Sequence, residues 1–201
     1  MADPTIKSRP VYRGLRIVPH ARRHLFALEG EGARALADQV VSSGKDFLAS
    51  AEVLYVARGS QPLEHGAMLK QLGLRDFWQA PSVPTLLSRL RATLATATMG
   101  TRLYVAGTEG FIGQAMQVAM EFGVDPASIG TEHPGSLARR VQCVHCKGIT
   151  DHVTASPCIC AHCGLALFVR DHYSRRIGAF QGVNIDAEAP GSVPVPQELY
   201  P

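Results

Sequence analysis

Two short runs hold the residues best suited to chemistry. "CVHCKG" spans 143 to 148 and "PCICAHCG" spans 157 to 164, and together they contain all 5 cysteines of the chain. Cys143 and Cys146 form one CxxC pair and Cys160 and Cys163 a second, with 13 residues between the pairs. A tetrahedral zinc or iron ion takes four thiolates, and a CxxC on a tight turn brings two sulfurs together while backbone N–H groups point at them. Gly148 and Gly164 follow the pairs and let the chain bend closely around an ion. These four cysteines are the candidate ligands of a single Fe or Zn, two metals that accept the same donors.

Cys158 is the fifth sulfur. On a strand it shares a side with Cys160, so it could stand in as a ligand or sit beside the site as a thiol; a small buried hydrophobe is the expected role. His145 and His162 occupy the middle of the two turns, positions that face outward, and His152 lies between them in sequence. Asp171, His172 and Tyr173 in "DHYSRR" either approach the metal or decorate a hairpin. No GxSxG or comparable motif joins the serines, histidines and aspartates, so no catalytic and no cofactor-binding residue is assigned beyond the four cysteines.

The compartment bears on the cysteines. "MADPTIKSRPVYRGLRIVPH" has neither the apolar stretch nor the cleavage site of a secretory signal, and no run of about 18 apolar residues could span a membrane. A cytoplasmic chain is expected, where clustered cysteines hold metal rather than form disulfides. Over 201 residues the composition is 46% hydrophobic and 18% charged with a net charge of +3, as in soluble globular proteins. The basic groups "RRHL", "ARR" and "SRR" carry no interleaved aromatics. They fit solvated faces or a protein contact, and no nucleic-acid partner is expected.

The elements that must position the site follow from periodicity. Residues 1 to 10 are polar and expected to be loose; "YRGLRIVP" and "HLFALEG" each fit a short strand. "GARALADQVVSSGKDFL" has helical spacing, "EVLYVARG" reads as a buried strand closed by Gly59, and "LEHGAMLKQLG" as a short helix stopped by Gly73. "DFWQAPS" fits a further strand, and "VPTLLSRLRATLATA" an amphipathic helix with Leu86, Leu87, Leu90 and Leu94 on one stripe. "TRLYVAGTEG" is strand into glycine turn, with Gly107 and Gly110 as turn residues, and "FIGQAMQVAMEFGV" is a helix ending at Gly123. "VLYVARGS" and "RLYVAGTE" are near copies, and buried strands alternating with helices indicate a doubly wound parallel sheet.

The expected organisation is an N-terminal extension with strands over 1–29 and an α/β domain over 30–133. A linker, "DPASIGTEHPGS", leads to a four-cysteine β module of the zinc-ribbon or rubredoxin-like kind over 139–185, and an extended proline-rich tail covers 186–201.

"GTRLYVAGTEGFIGQAMQVAMEFGVDPASIGTEH" resembles the final strand, turn and helix of the nucleotide domain of ferredoxin reductases, and "EVLYVARGSQPLEHGAMLKQLG" its middle strand and helix. The family's cysteine and proline are replaced here by Ala106 and Thr108, "LEGEGARAL" has Gly30 and Gly32 without a GxGxxG loop, and no flavin barrel precedes it. With "CVHCKGITDHVTASPCICAHCGLALFVRDHYSRRIGAFQG" and "VNIDAEAPG" added, the chain resembles the small-subunit family of bacterial dimethylamine monooxygenases. The resemblance implies an NADPH-dependent oxygenase complex that converts dimethylamine to methylamine and formaldehyde. It places FMN, a [2Fe–2S] centre, haem and NADPH in partner subunits, a flavin/iron–sulfur reductase subunit and a haem subunit. This chain would serve electron transfer or assembly. The alternatives are a non-redox zinc-ribbon scaffold and a free-standing NADPH reductase.

Overall fold

A computed structural model describes residues 8–58 and 62–201. The chain divides into two compact units, Tyr12–Gly135 and a second that joins the N-terminal residues through Val11 to Ser136–Pro201. Gly59 and the expected loose segment before Ser8 lie outside the described residues.

In the first unit the strands are β1 (Arg23–Glu29), β2 (Ala51–Val56), β3 (Asp76–Ala80), β4 (Thr101–Ala106) and β5 (Gly130–Glu132); the helices are α1 (Gly32–Ser43), α2 (Pro62–Lys70), α3 (Val83–Leu94) and α4 (Glu109–Glu121). All five strands are parallel, in the order β3-β2-β1-β4-β5. The near-copied segments are β2 and β4, which flank β1 on either side.

Alternation along β1 shows why both faces are covered. Leu25 and Ala27 join a core with Leu86, Leu90 and Leu94 of α3 and Phe111, Ile112 and Ala115 of α4. Phe26 and Leu28 join another with Ala33, Ala35 and Leu36 of α1 and Leu69 of α2. A strand buried on both sides needs a continuous apolar run, and "LFAL" supplies it. The sheet is therefore doubly wound, as the repeated pattern predicted.

Local signals place the helix ends. Ser82 caps α3, its side chain accepting from the Thr85 N–H, and Thr108 caps α4 by accepting from the Phe111 N–H. At the other end of α4, Gly123 adopts φ +71°, and the N–H groups of Gly123 and Val124 return to the carbonyls of Met120 and Ala119. That closes the orphan carbonyls in a Schellman motif.

Three sequence expectations change. "HLFALEG" is the central strand, so the α/β unit begins well before residue 30. "YRGLRIVP" forms no strand: the N–H groups of Leu15, Ile17 and Val18 donate to Glu132 Oε2 at 2.8 Å, Gln39 Oε1 at 3.3 Å and the Tyr104 hydroxyl at 3.0 Å, in place of a ladder. The linker contains a 3-10 turn over Pro126–Ser128 and then β5, whose three residues pair with Tyr104–Ala106 of β4.

The second unit contains β6 (Arg139–Cys143), β7 (Ile149–Val153), β8 (Ala155–Ser156), β9 (Cys158–Ile159), β10 (Ala166–Ser174), β11 (Ala179–Asn184) and β12 (Gln197–Glu198). Its main sheet runs β7-β6-β11-β10-β9, and β12 pairs with β8. The tail expected to be extended is anchored at its end. Its end returns to pair with β8, the Leu199 and Tyr200 N–H groups both donate to the Thr154 carbonyl, and the Tyr200 ring is buried over Arg139.

Gly32 tests the packing of the first unit. A Cβ there would collide with the Ala106 carbonyl oxygen at the start of the β4–α4 turn. Glycine to alanine within a helix is ordinarily worth a gain of about 0.5–1 kcal/mol. Here Gly32→Ala is expected to lower stability by about 2 kcal/mol, the scale of an overpacked core, measured by chemical denaturation.

Candidate metal centre

The four cysteines arrive on two matching turns. Cys143 is the last residue of β6 and Cys160 follows β9 directly, so both are fixed by strand backbone and both are buried. In the first turn the Lys147 N–H donates to the Cys143 carbonyl at 3.0 Å and the Cys143 N–H to the Gly148 carbonyl at 2.9 Å. The second turn repeats this, with the Gly164 N–H on the Cys160 carbonyl at 3.0 Å and the Cys160 N–H on the Leu165 carbonyl at 2.9 Å. The residue after each second cysteine takes a left-handed conformation, φ 63° at Lys147 and 76° at Gly164. The chain reverses there and brings the pair of sulfurs to one side.

The sulfurs of Cys143, Cys146, Cys160 and Cys163 all lie within 4.8 Å of one another. Cys143 Sγ and Cys163 Sγ are 3.8 Å apart, and Cys146 Sγ and Cys160 Sγ 3.7 Å. An ion about 2.3 Å from each of four tetrahedral sulfurs sets their edges at about 3.8 Å. The donor set and its spacing fit one tetrahedral zinc or iron.

Hydrogen bonding prepares the thiols. The Gly148 N–H reaches Cys146 Sγ at 3.4 Å. Burial disfavours the Cys160 thiolate, but the N–H groups of Cys163 and His162 and the thiols of Cys163 and Cys146 outweigh it and bring that thiol down to about 6. At Cys163 the Leu165 N–H favours the thiolate; burial and hydrogen bonds shared with Cys146, Cys160 and Cys143 prevail and push it up to about 12. Cys160 thus gives up its proton more readily than Cys163.

Cys158 stands apart from the four. It lies opposite Leu167 in the β9–β10 pairing and packs into the module core. Burial pushes its thiol up, as suits a small hydrophobe. The histidines also stay off the cluster. His145 is exposed, His152 sits exposed with φ 57°, and His162 Nε2 contacts the Ile149 carbonyl at 2.8 Å. His162 has a positional role all the same: with Ala161, whose N–H donates to Thr150 Oγ1 at 3.0 Å, it pins the second turn to β7.

Arg139 was not singled out from the sequence, where "ARR" reads as a solvated group. It is instead fully buried, its guanidinium 4.0 Å from the Phe180 ring centre and 3.9 Å from that of Tyr200. Its Nη2 donates to Asp171 at 2.6 Å. Asp171 therefore serves the core's cation rather than the cysteine cluster, His172 is exposed, and Tyr173 packs edge-on to Phe180. Only the aromatic partners, distant in sequence, could have signalled this arrangement.

In the first unit, the crevice that an open parallel sheet offers lies at the carboxyl ends of β1 and β4, where the strand order reverses. Here the chain's own groups fill it. The buried Glu29 carboxylate accepts from the Thr108 N–H at 3.0 Å and its hydroxyl at 2.6 Å, and from Arg58 at 3.2 Å. Gly107 is pressed against Glu29 and Phe111, with no room for a Cβ. A carboxylate thus takes the place at the α4 N-terminus where an anion would dock.

Fold and site together define a two-part chain, a doubly wound α/β unit with a self-filled crevice and a β module presenting four cysteines of metal-site geometry. Residues 4–129 match the family described as "Dimethylamine monooxygenase subunit DmmA-like, N-terminal domain", and residues 140–183 match the corresponding C-terminal domain. The chain belongs to this dimethylamine monooxygenase subunit family. It is 35% identical over 156 residues to the "Heme-dependent oxidative N-demethylase delta subunit" of Ectopseudomonas mendocina (strain ymp), covering 74% of this chain and 87% of that one. Among solved structures, the ferredoxin reductase in carbazole 1,9a-dioxygenase is 16% identical with a TM-score of 0.42, over 61% of this chain and 34% of that chain. The flavohem-like FAD/NAD binding domain of nitric oxide dioxygenase from Vibrio cholerae O1 biovar El Tor is 17% identical with a TM-score of 0.40, over 59% and 54%. The chain thus spans between about a third and a half of the length of these solved proteins. No helix among the described residues is long and apolar enough to cross a membrane.

Gly148 offers a direct test of how the two turns meet. A Cβ at this position would run into the His162 imidazole. Gly148→Ala is expected to destabilise the module by about 1–3 kcal/mol, with most of the loss recovered by adding His162→Gly, as read by thermal melts of the single and double variants.

Proposed function

We propose that this chain is the metal-bearing small subunit of an NADPH-dependent dimethylamine monooxygenase, with one iron or zinc held by Cys143, Cys146, Cys160 and Cys163. The observation that carries the reading is the convergence of four sulfurs at tetrahedral spacing on two matched turns. Membership of the family and the subunit name of the relative support its setting in an oxidative N-demethylase complex. In the overall reaction the methyl carbon leaves as formaldehyde with one oxygen atom of dioxygen. The other oxygen atom leaves as water, NADPH supplies two electrons, and methylamine remains.

Iron in such a site supplies a one-electron carrier, whereas zinc supplies a structural staple. Cys143 and Cys160 anchor the cluster in the core, while Cys146 lies exposed and gives the site an open edge. That open edge favours the carrier. The four-cysteine site also ties β6 to β9, and this favours a scaffold role if the metal is zinc. The self-filled crevice between β1 and β4 supports placing NADPH on a partner subunit, together with FMN, [2Fe–2S] and haem. A free-standing reductase gains no support from it. In this reading the complex works in the cytoplasm and has no nucleic-acid partner.

Elemental mass spectrometry of the complex from its native host decides the metal: about one iron in this subunit, beyond that of its partners, is expected. One zinc and no additional iron would make the module a clamp. Cys146→Ser and Cys163→Ser are each expected to cut metal occupancy by more than half and to loosen the module, while Cys158→Ser keeps the metal. Loss of metal in Cys158→Ser would overturn the choice of ligands.

A further inference from the structure

The four sulfurs of the cluster differ in how far solvent reaches them. Cys143 ends β6 and Cys160 directly follows β9, and they are 0% and 2% exposed. Cys163 is half-buried, and Cys146 is exposed. An oxidant arriving from solvent therefore meets Cys146 first, since oxidation of a cysteine follows its exposure as well as its thiolate character.

Geometry names the sulfur that answers. Cys146 Sγ lies 3.7 Å from Cys160 Sγ, and Cys143 Sγ lies 3.8 Å from Cys163 Sγ. Each of these pairs crosses from one turn to the other and joins a strand-anchored cysteine to a turn cysteine. The sulfurs of a disulfide are about 2.0 Å apart, so each pair has to close by about 1.7 Å. Cys146 and Cys163 belong to no strand and are the members able to move. The two turns already meet, with the His162 ring against Gly148.

The crossed partners are 14 and 20 positions apart in sequence, against three within each CxxC. A bridge over the longer span restricts the unfolded chain more. It also ties the two turns together, which a bridge inside one turn does not.

We propose that Cys146 is an oxidation site for hydrogen peroxide with Cys160 as its resolving thiol, and that two crossed disulfides, Cys146–Cys160 and Cys143–Cys163, take over the tie that the metal ion makes. This rests on the reading of the cluster as the metal site of an oxygenase subunit. In such a complex, electrons that reach dioxygen without oxidising substrate leave as hydrogen peroxide, so the oxidant arises beside the chain. The Cys146 thiolate attacks one peroxide oxygen; the S–O bond forms, the O–O bond breaks and hydroxide leaves. The Cys160 thiolate then attacks the Cys146 sulfur; the S–S bond forms, the S–O bond breaks and a second hydroxide leaves. Two protons turn the hydroxides into water, and the two electrons lost by the sulfurs are those the peroxide gains. With two of its four donors gone the ion is released, and Cys143 and Cys163 close in the same way with a second peroxide. A dithiol reverses both bridges by exchange. Transient, redox-sensing disulfides are the kind a reducing compartment carries.

The test uses the full chain loaded with zinc, which a four-thiolate site accepts. Hydrogen peroxide is added stepwise and freed zinc is read with a chromophoric chelator. Bridges are mapped by peptide mass spectrometry after alkylation of the remaining thiols. The first equivalent is expected to release about one zinc per chain together with a Cys146–Cys160 bridge, and the second to add Cys143–Cys163. Dithiothreitol and zinc then restore the starting form, and Cys158→Ser is expected to release zinc at the wild-type rate. Zinc retained through both equivalents, a bridge within either CxxC, a bridge to Cys158, or sulfinic acid at Cys146 with no bridge overturns the proposal and leaves the metal reading intact. Failure of the wild-type chain to take up zinc overturns both.

Discussion

Four sulfur donors within 4.8 Å of one another form an arrangement that repels itself as thiolates and becomes favourable only around a cation. Much of the second unit is organised to bear that constraint. Two strands lead to the cluster, two matching backbone turns close around it, and His162 and Thr150 pin the second turn to β7. Hydrogen bonding inside the cluster sets two of its thiols apart: N–H groups and neighbouring thiols outweigh burial and lower Cys160 to about 6, whereas at Cys163 burial and shared hydrogen bonds outweigh the Leu165 N–H and raise it to about 12. A divalent ion entering the cluster would displace those protons, so its affinity would weaken as the pH falls.

The module is small, and its core shows what the cysteines contribute besides donors. Cys143 and Cys160 are core residues in their own right, packed with Val141, Val153, Leu167 and Phe180. Arg139 stacks between Phe180 and Tyr200 and answers to Asp171. This clamp draws the returning tail into the core. A guanidinium stacked between two rings keeps its charge partly compensated by their π faces, which makes its burial tolerable. The tail end is thus a structural part of the metal module even though its proline-rich approach is exposed.

What the sequence made legible was periodic or chemically explicit. The alternating strands β1, β2 and β4, the leucine stripe of α3 and the two CxxC pairs all announce themselves through spacing. β5 did not, because a strand of three residues at the sheet edge is too short to alternate and lies among turn formers. "YRGLRIVP" did the reverse: it has a strand's composition, but Glu132, Gln39 and Tyr104 take its N–H groups, and those partners are distant in sequence. Arg139 was missed for the same reason, since its burial depends on rings from β11 and the tail. The cysteine cluster was the most legible site, because ligand spacing within each turn is local and the pairing of two turns is all that folding must add.

The two units handle charge in opposite ways, and that contrast bears on how such a chain can work. At the switch point of the α/β sheet, Glu29 answers the α4 N-terminus from within, so that helix end is satisfied by the chain itself. A nucleotide phosphate entering there would have to displace a buried carboxylate and its three hydrogen bonds, and would meet like charge before it did so. In the cysteine module the donors have no internal answer. Besides one another's thiols, their hydrogen-bond partners are N–H groups, which stabilise negative sulfur without neutralising it, and Cys146 is left at the surface. The α/β unit thus answers its switch-point helix end from within, whereas the cysteine module gathers four sulfur donors at metal-site spacing with one of them at the surface.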